Sequence, residues 1–179
     1  MRVISGEYRG RRLLEPAGRD VRPTTDQVKE AVFNIIQFDI EGRRALDLFA
    51  GTGQMGIEAL SRGARECVFV DSSRESLRLV RENLHRCGAA AQIIQSDAIG
   101  YLRRRERFDL IFIDPPYDSD LAEQAVEAVK EFDILSKGGI MIVETRRETV
   151  MPMTSDEYGS EKVYRYGKIK ITVITRGNR

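Results

Sequence analysis

The tetrapeptide Asp114-Pro115-Pro116-Tyr117 brings together the groups needed to present an amine for alkylation. An exocyclic amine on a nucleobase is a poor nucleophile because its lone pair is delocalised into the ring. Help consists of accepting its N–H bonds rigidly, so that the lone pair turns outward and the developing positive charge is stabilised. The Asp114 carboxylate and the Pro115 carbonyl suit that task, with Asp114 an orienting acceptor rather than a strong base. Consecutive prolines, Pro115 and Pro116, fix φ and add no competing N–H. Tyr117 offers a flat face for an extruded base, a stacking contact worth on the order of 1–3 kcal/mol. A Pro-Pro turn that merely closes a strand is the plain alternative. The position, at the end of an almost wholly apolar strand in a βα series, favours a site, because such sheets bind ligands at the carboxyl ends of their strands.

A second group of residues lies upstream. Asp47-Leu48-Phe49-Ala50-Gly51-Thr52-Gly53-Gln54-Met55-Gly56 contains Gly51-x-Gly53-x-x-Gly56 between a strand and a helix, and the next strand ends at Asp71-Ser72. Glycines let the backbone turn sharply toward a ligand, and an acid on the following strand can accept from ribose hydroxyls. Alone, this pattern fits NAD as well as S-adenosylmethionine. Two acids separate them. Asp47, just before the loop, would repel a pyrophosphate but can pair with the ammonium of an amino-acid moiety. Asp97, followed by Ala98 at the end of the third strand, can receive an adenine amino group while also capping a helix. The expected cofactor is S-adenosylmethionine, held by Asp47, Phe49, Ala50, Gly51, Thr52, Gly53, Gly56, Asp71, Ser72, Asp97 and Ala98. Neither cysteine lies in a motif suited to attack a pyrimidine ring, which argues against C5 methylation and for direct in-line transfer to nitrogen.

These residues need a scaffold, and the hydrophobic pattern predicts one. Short strands are expected at 45–48, 67–70, 92–95, 108–113 and 140–144, alternating with helices at 51–62 (after its loop), 74–86, 98–102 and 121–132. Repeated βα units imply a Rossmann-like α/β fold, mostly parallel, with helices on both faces. The end departs from that rhythm: 158–166 and 169–175 read as an antiparallel hairpin joined at Gly167-Lys168, unusual for a dinucleotide enzyme. At the start, Val3-Ile4-Ser5 and the stretch to Leu14 read as two short strands around a glycine-flanked turn. A helix follows, with capping-box spacing from Thr24 to Gln27 and an apolar stripe of Val28, Ala31, Val32, Ile35 and Ile36.

A length of 179 residues suits one domain with a sizeable core. No apolar run is long enough to span a bilayer, and no export signal precedes the first strand. Cys67 and Cys87 form no CxxC pair and read as buried thiols, and with His85 the only histidine no metal site is expected. The setting reads as cytoplasmic. The formal net charge is only +1, yet residues 1–25 carry six arginines against three acids. Arginine's planar fork suits phosphate.

The motifs carry a family resemblance. Asp-Leu-Phe-Ala-Gly-Thr-Gly resembles the first motif of class I methyltransferases, and Asp-Pro-Pro-Tyr the fourth motif of amino-methyltransferases, which include DNA adenine and cytosine enzymes and RNA guanine-N2 enzymes. The N-terminal part narrows this. Arg2-Val3-Ile4-Ser5-Gly6, Tyr8-Arg9-Gly10-Arg11-Arg12-Leu13 and Arg22-Pro23-Thr24-Thr25-Asp26-Gln27-Val28-Lys29-Glu30-Ala31-Val32-Phe33-Asn34 resemble the RsmD family of bacterial 16S ribosomal RNA guanine-N2 methyltransferases. The resemblance runs from residue 2 to about residue 145. It implies a monomeric class I fold with a seven-stranded sheet, S-adenosylmethionine as cofactor, and one guanine of 16S rRNA in an assembled or nearly assembled small subunit as substrate. It further implies an N-terminal β-hairpin extension over residues 1–22 ahead of a methyltransferase domain over 23–179. Arg9, Arg11 and Arg12 would face RNA, and Arg22, Thr24 and Thr25 would border the cofactor and base pocket. The rival readings are a DNA adenine-N6 methyltransferase, an NAD-dependent oxidoreductase and a non-catalytic ribosome assembly factor.

Overall fold

A computed structural model describes residues 1–16, 26–151, 157–158 and 160–177 of the chain. Its elements in order are α1 (Asp26–Ile35), β1 (Arg44–Asp47), α2 (Gln54–Ser61), β2 (Glu66–Asp71), α3 (Arg74–Cys87), β3 (Gln92–Gln95), α4 (Ala98–Leu102), β4 (Phe108–Ile113), α5 (Leu121–Glu131), β5 (Leu135–Arg146), β6 (Ser160–Tyr166) and β7 (Ile169–Thr175). The strands form one seven-stranded sheet in the order β3-β2-β1-β4-β5-β7-β6. β1 to β5 are parallel, whereas β7 runs antiparallel between β5 and β6.

Alternation along each strand explains the layering. Ala45, Cys67, Phe69, Leu110, Phe112, Ile140 and Ile142 join one core with Val28, Phe33, Ile57, Val80 and Leu84 from α1, α2 and α3. Their sequence neighbours Leu46, Val68, Val70, Ile111, Ile113, Met141 and Val143 join a second core with α4 and α5. A sheet buried on both faces needs such apolar runs, which is why β4 reads as continuous hydrophobe.

Three expectations require revision. The fifth strand is longer than 140–144, because Lys137-Gly138-Gly139 bends the strand without ending it. Gly138 has φ +69°, and the register slips between the pairs Phe108–Leu135 and Leu110–Ile140. The two N-terminal strands are reduced to a single antiparallel bridge, Arg2 with Arg12. The two segments remain joined by Val3 N–H to Arg11 (3.0 Å), Leu13 N–H to Met1 (3.1 Å) and Gly10 N–H to Val3 (2.9 Å), and α2 anchors the arm. Glu58 accepts from the N–H of Ile4 (2.8 Å) and Ser5 (3.0 Å), and Ser61 from Glu7 and Tyr8. A Cβ at Gly6 would lie 1.8 Å from the Ser61 carbonyl oxygen, so only glycine permits this approach. In α1, finally, Val28, Val32 and Ile36 are buried as expected, but Ala31 and Ile35 are half-exposed and Lys29 and Phe33 are fully buried. Lys29 donates to the Arg2 carbonyl (2.6 Å) and lies 3.8 Å from Glu58, and its burial lowers the ammonium pKa against the raising effect of that carboxylate. The Thr24 cap lies outside the described residues.

Candidate active site

β2 and β3 extend from β1 to one side and β4 and β5 to the other, so the sheet has its topological switch point between β1 and β4. A cleft of about 1210 Å³ opens there, at the carboxyl ends of the strands. Ligands bind at this position in doubly wound sheets. The cleft brings together Asp47, Phe49, Ala50, Gly51, Thr52, Asp71, Ser72, Asp97, Ala98 and all of Asp114 to Tyr117.

Each acid on the β1–β3 side accepts from backbone N–H groups: Asp47 and Asp97 in the first turns of α2 and α4, and Asp71 in the loops at Gly51 and Ser73. Asp47 ends β1 almost fully buried, and its Oδ2 accepts from the Gly56 N–H at 2.9 Å. Burial pushes its carboxyl up to about 7; the Gly56 bond opposes that rise and the charge of Asp71 adds to it. Asp71 accepts from Gly51 N–H (2.9 Å) through Oδ2 and from Ser73 N–H (2.8 Å) through Oδ1. Asp97 caps α4 by accepting from Gly100 N–H at 2.7 Å.

The three glycines serve different ends. Gly51 has φ +55° and open space where a Cβ would stand, so it serves the turn beside the cleft. Gly53 and Gly56 do not line the cleft. Gly53 is the left-handed cap of α2, and a Cβ at Gly56 would meet Phe69 Cε1 at 2.4 Å and Cys67 Sγ at 2.7 Å. Gly56 therefore sets how closely α2 packs on β2.

On the β4–β5 side, Asp114 and Pro115 leave the end of β4, and Tyr117 Oη donates to Glu144 Oε1 on β5. Pro116 carbonyl accepts from Ser119 Oγ at 2.6 Å, which folds the turn back on itself. Reading the sequence missed Glu144, Arg146, Lys168 and Ile169, which close this end of the cleft, and Met1, Glu15 and Pro16, which border the other. Glu144 carried a signal only as an acid ending an apolar strand. Gln54 was also missed; its buried Oε1 has no hydrogen-bond partner among the described residues and it lines the cleft. Arg9, Arg11 and Arg12 are exposed on the N-terminal arm and do not line the cleft. Arg22, Thr24 and Thr25 lie outside the described residues. Among those described, no helix is long and apolar enough to cross a membrane.

A doubly wound sheet whose last strand slips antiparallel between its two predecessors is the fold of class I methyltransferases, the S-adenosylmethionine-dependent class. The solved yhhF protein from Escherichia coli shares it throughout, with a TM-score of 0.90 over 100% of this chain and 99% of that one at 29% identity. Sequence comparison goes further. A family model described as "conserved hypothetical protein 95" matches residues 1–175. The chain is 38% identical to the Bacillus subtilis protein YlbH, covering 98% of this chain and 99% of that one. It is 34% identical to the ribosomal RNA small subunit methyltransferase D of Haemophilus influenzae, covering 83% and 80% respectively. The chain belongs to the RsmD family of ribosomal RNA methyltransferases.

Proposed function

We propose that this protein methylates the exocyclic N2 of one guanine in 16S rRNA of the small ribosomal subunit, using S-adenosylmethionine. The observation that carries the reading is that Asp114-Pro115-Pro116-Tyr117 shares one cleft with the loop between Asp47 and Gly56. The substrate class follows the name of the Haemophilus relative, a small-subunit RNA methyltransferase.

The residues present fit the cofactor. Asp47 is a buried carboxyl with one N–H bond among the described residues to offset its burial, so an ammonium beside it would restore its anionic form. The unpartnered Gln54 oxygen offers that ammonium a further acceptor. Asp71 and Asp97 use part of their lone pairs on backbone and keep others for ribose hydroxyls and an adenine amino group. Thr52, Phe49, Ala50, Ser72 and Ala98 complete the walls, and the family resemblance alone adds Arg22, Thr24 and Thr25 as further candidates for cofactor contact. Bound there, S-adenosylmethionine supplies a methyl group activated by its sulfonium charge, which the amine takes directly.

The chain's own groups prepare the amine. Asp114 and the Pro115 carbonyl accept its two N–H bonds, and Tyr117 stacks on the base, held in place by Glu144. The amine loses its proton only after transfer, so Asp114 orients and stabilises rather than abstracts. The N-terminal extension, with Arg9, Arg11 and Arg12 exposed, meets RNA phosphates, and a monomer acting on an assembled or nearly assembled subunit suffices.

The deciding experiment incubates the protein with unmodified small subunits and a labelled methyl donor, then maps the label by mass spectrometry. One N2-methylguanine in 16S rRNA is expected. Label on adenine N6 of DNA, or calorimetric binding of NAD in place of S-adenosylmethionine, would replace this reading by a rival. In a deletion strain the modified guanine should vanish and return with wild type but not with Asp114→Ala. Its return with both would leave an assembly factor.

A further inference from the structure

We infer that Glu144 reads the N1–H of the target guanine and so decides which purine is methylated; this rests on the guanine-N2 reading above. The parallel pair Ile113–Val143 places the next residues of both strands, Asp114 and Glu144, side by side at the carboxyl edge of the sheet. Both line the cleft, and Glu144 is only 5% exposed. An acid this deep at a strand end is costly unless hydrogen bonds use it. Its Oε1 accepts from Tyr117 Oη, which sets the carboxylate beside the residue proposed to cover the base. A carboxylate has about four acceptor positions on its two oxygens and takes a further N–H beside those it already receives.

Guanine presents two kinds of donor next to each other, the N2 amine and N1–H. With Asp114 and the Pro115 carbonyl on the amine, the adjacent acceptor is Glu144, matched to N1–H. Purines with a lone pair at N1, such as adenine and 2,6-diaminopurine, would set that lone pair against a buried carboxylate with no proton between them. A site built around such a hydrogen bond rejects an analogue that lacks the donor far more strongly than a change of shape would. Asp114 alone does not make this distinction, because any purine 2-amino group satisfies it.

The test uses small subunits reconstituted on 16S RNA in which the mapped target is either guanine or 2,6-diaminopurine, which keeps the 2-amino group. Methyl transfer by wild type should favour guanine by at least about 100-fold. Glu144→Gln should transfer to guanine about 10- to 100-fold more slowly and lose most of the preference, because its amide can donate to N1. Calorimetric binding of S-adenosylmethionine should match wild type. Tyr117→Phe, which removes the donor to Glu144 and keeps the ring, should keep the guanine preference. Equal use of both purines by wild type overturns the inference without recourse to any variant. It is likewise overturned if Glu144→Gln retains the full preference, or if Tyr117→Phe loses it as completely as Glu144→Gln, since Glu144 would then serve only to hold the ring. A wild-type protein that labels no guanine in the subunit defeats the guanine-N2 reading itself, and does so before any analogue is used.

Discussion

On the side of β1, β2 and β3, the cleft is held by carboxylates that bind backbone N–H groups: Asp47 to Gly56, Asp71 to Gly51 and Ser73, Asp97 to Gly100. On the side of β4 and β5 it is held by two proline rings, a serine-to-carbonyl bond at Pro116 and a bond between two side chains, Tyr117 and Glu144. In the first half, the acids proposed to meet the cofactor also hold backbone of the loops and of the first turns of α2 and α4. In the second half, proline fixes the backbone that carries the side chains proposed to meet the base. Substitutions should therefore perturb structure and binding together on one side, and activity alone on the other.

The largest expected effect tests the second half. Asp114→Ala should lower the single-turnover rate by about 1,000-fold, the scale of losing an oriented charge-stabilising acceptor. Calorimetry should find its affinity for S-adenosylmethionine unchanged, and a parallel loss of cofactor binding would erase the contrast.

Asp47→Asn tests the first half and should weaken cofactor binding by about 10- to 100-fold, as loss of a charged hydrogen bond does. It also has a pH signature. Burial pushes the folded carboxyl from the ordinary 3.8 up to about 7, so between these values the folded chain holds a proton that the unfolded chain has released. This group's contribution to stability is therefore fully present below about pH 4 and lost as pH rises to 7. Urea titrations of the ligand-free protein should show that decline in wild type and a flatter profile in Asp47→Asn. Cofactor affinity should move the opposite way in wild type, rising toward pH 7 as the carboxylate forms.

Gly56→Ala should destabilise the fold by about 1–3 kcal/mol, because its methyl would press into Phe69 and Cys67 and push α2 from β2. Thermal melts with and without cofactor would show whether binding falls with stability, as the comparison requires. The smallest effect is expected outside both halves. Arg11→Ala with Arg12→Ala should leave cofactor affinity intact and reduce the salt dependence of subunit binding, with a log–log slope shallower by about one to two.

Much of this arrangement was legible in the residues themselves. β3 and β4 fall where periodicity put them, because Ser96-Asp97 and Asp114-Pro115 mark their ends chemically as well as structurally. Asp47, Asp71, Asp97 and the tetrapeptide converge in one cleft because βα topology sends every parallel strand end to the same edge. What stayed hidden depends on partners distant in sequence. Lys29 looks like a solvated residue of α1 until Glu58 and the Arg2 carbonyl are brought to it. Glu144 looks like a polar strand terminus until Tyr117 is folded back against it. The bend of β5 at Gly138 looks in the sequence like the start of a strand at 140, because glycines mark bends and boundaries alike, and only pairing with β4 tells them apart.

The insertion of β7 between β5 and β6 has a consequence for synthesis. Ile169–Thr175 is made after the other described strands, yet it supplies the neighbour of residues 140–146, Glu144 included, and the sheet partner of β6 among the described residues. Until Thr175 has left the peptide tunnel, β5 offers an open, apolar edge of the kind that invites mispairing. The half proposed to bind the base is thus completed after the half proposed to bind the cofactor, and the nascent chain can close the loop after β1 while β5 still lacks its outer neighbour.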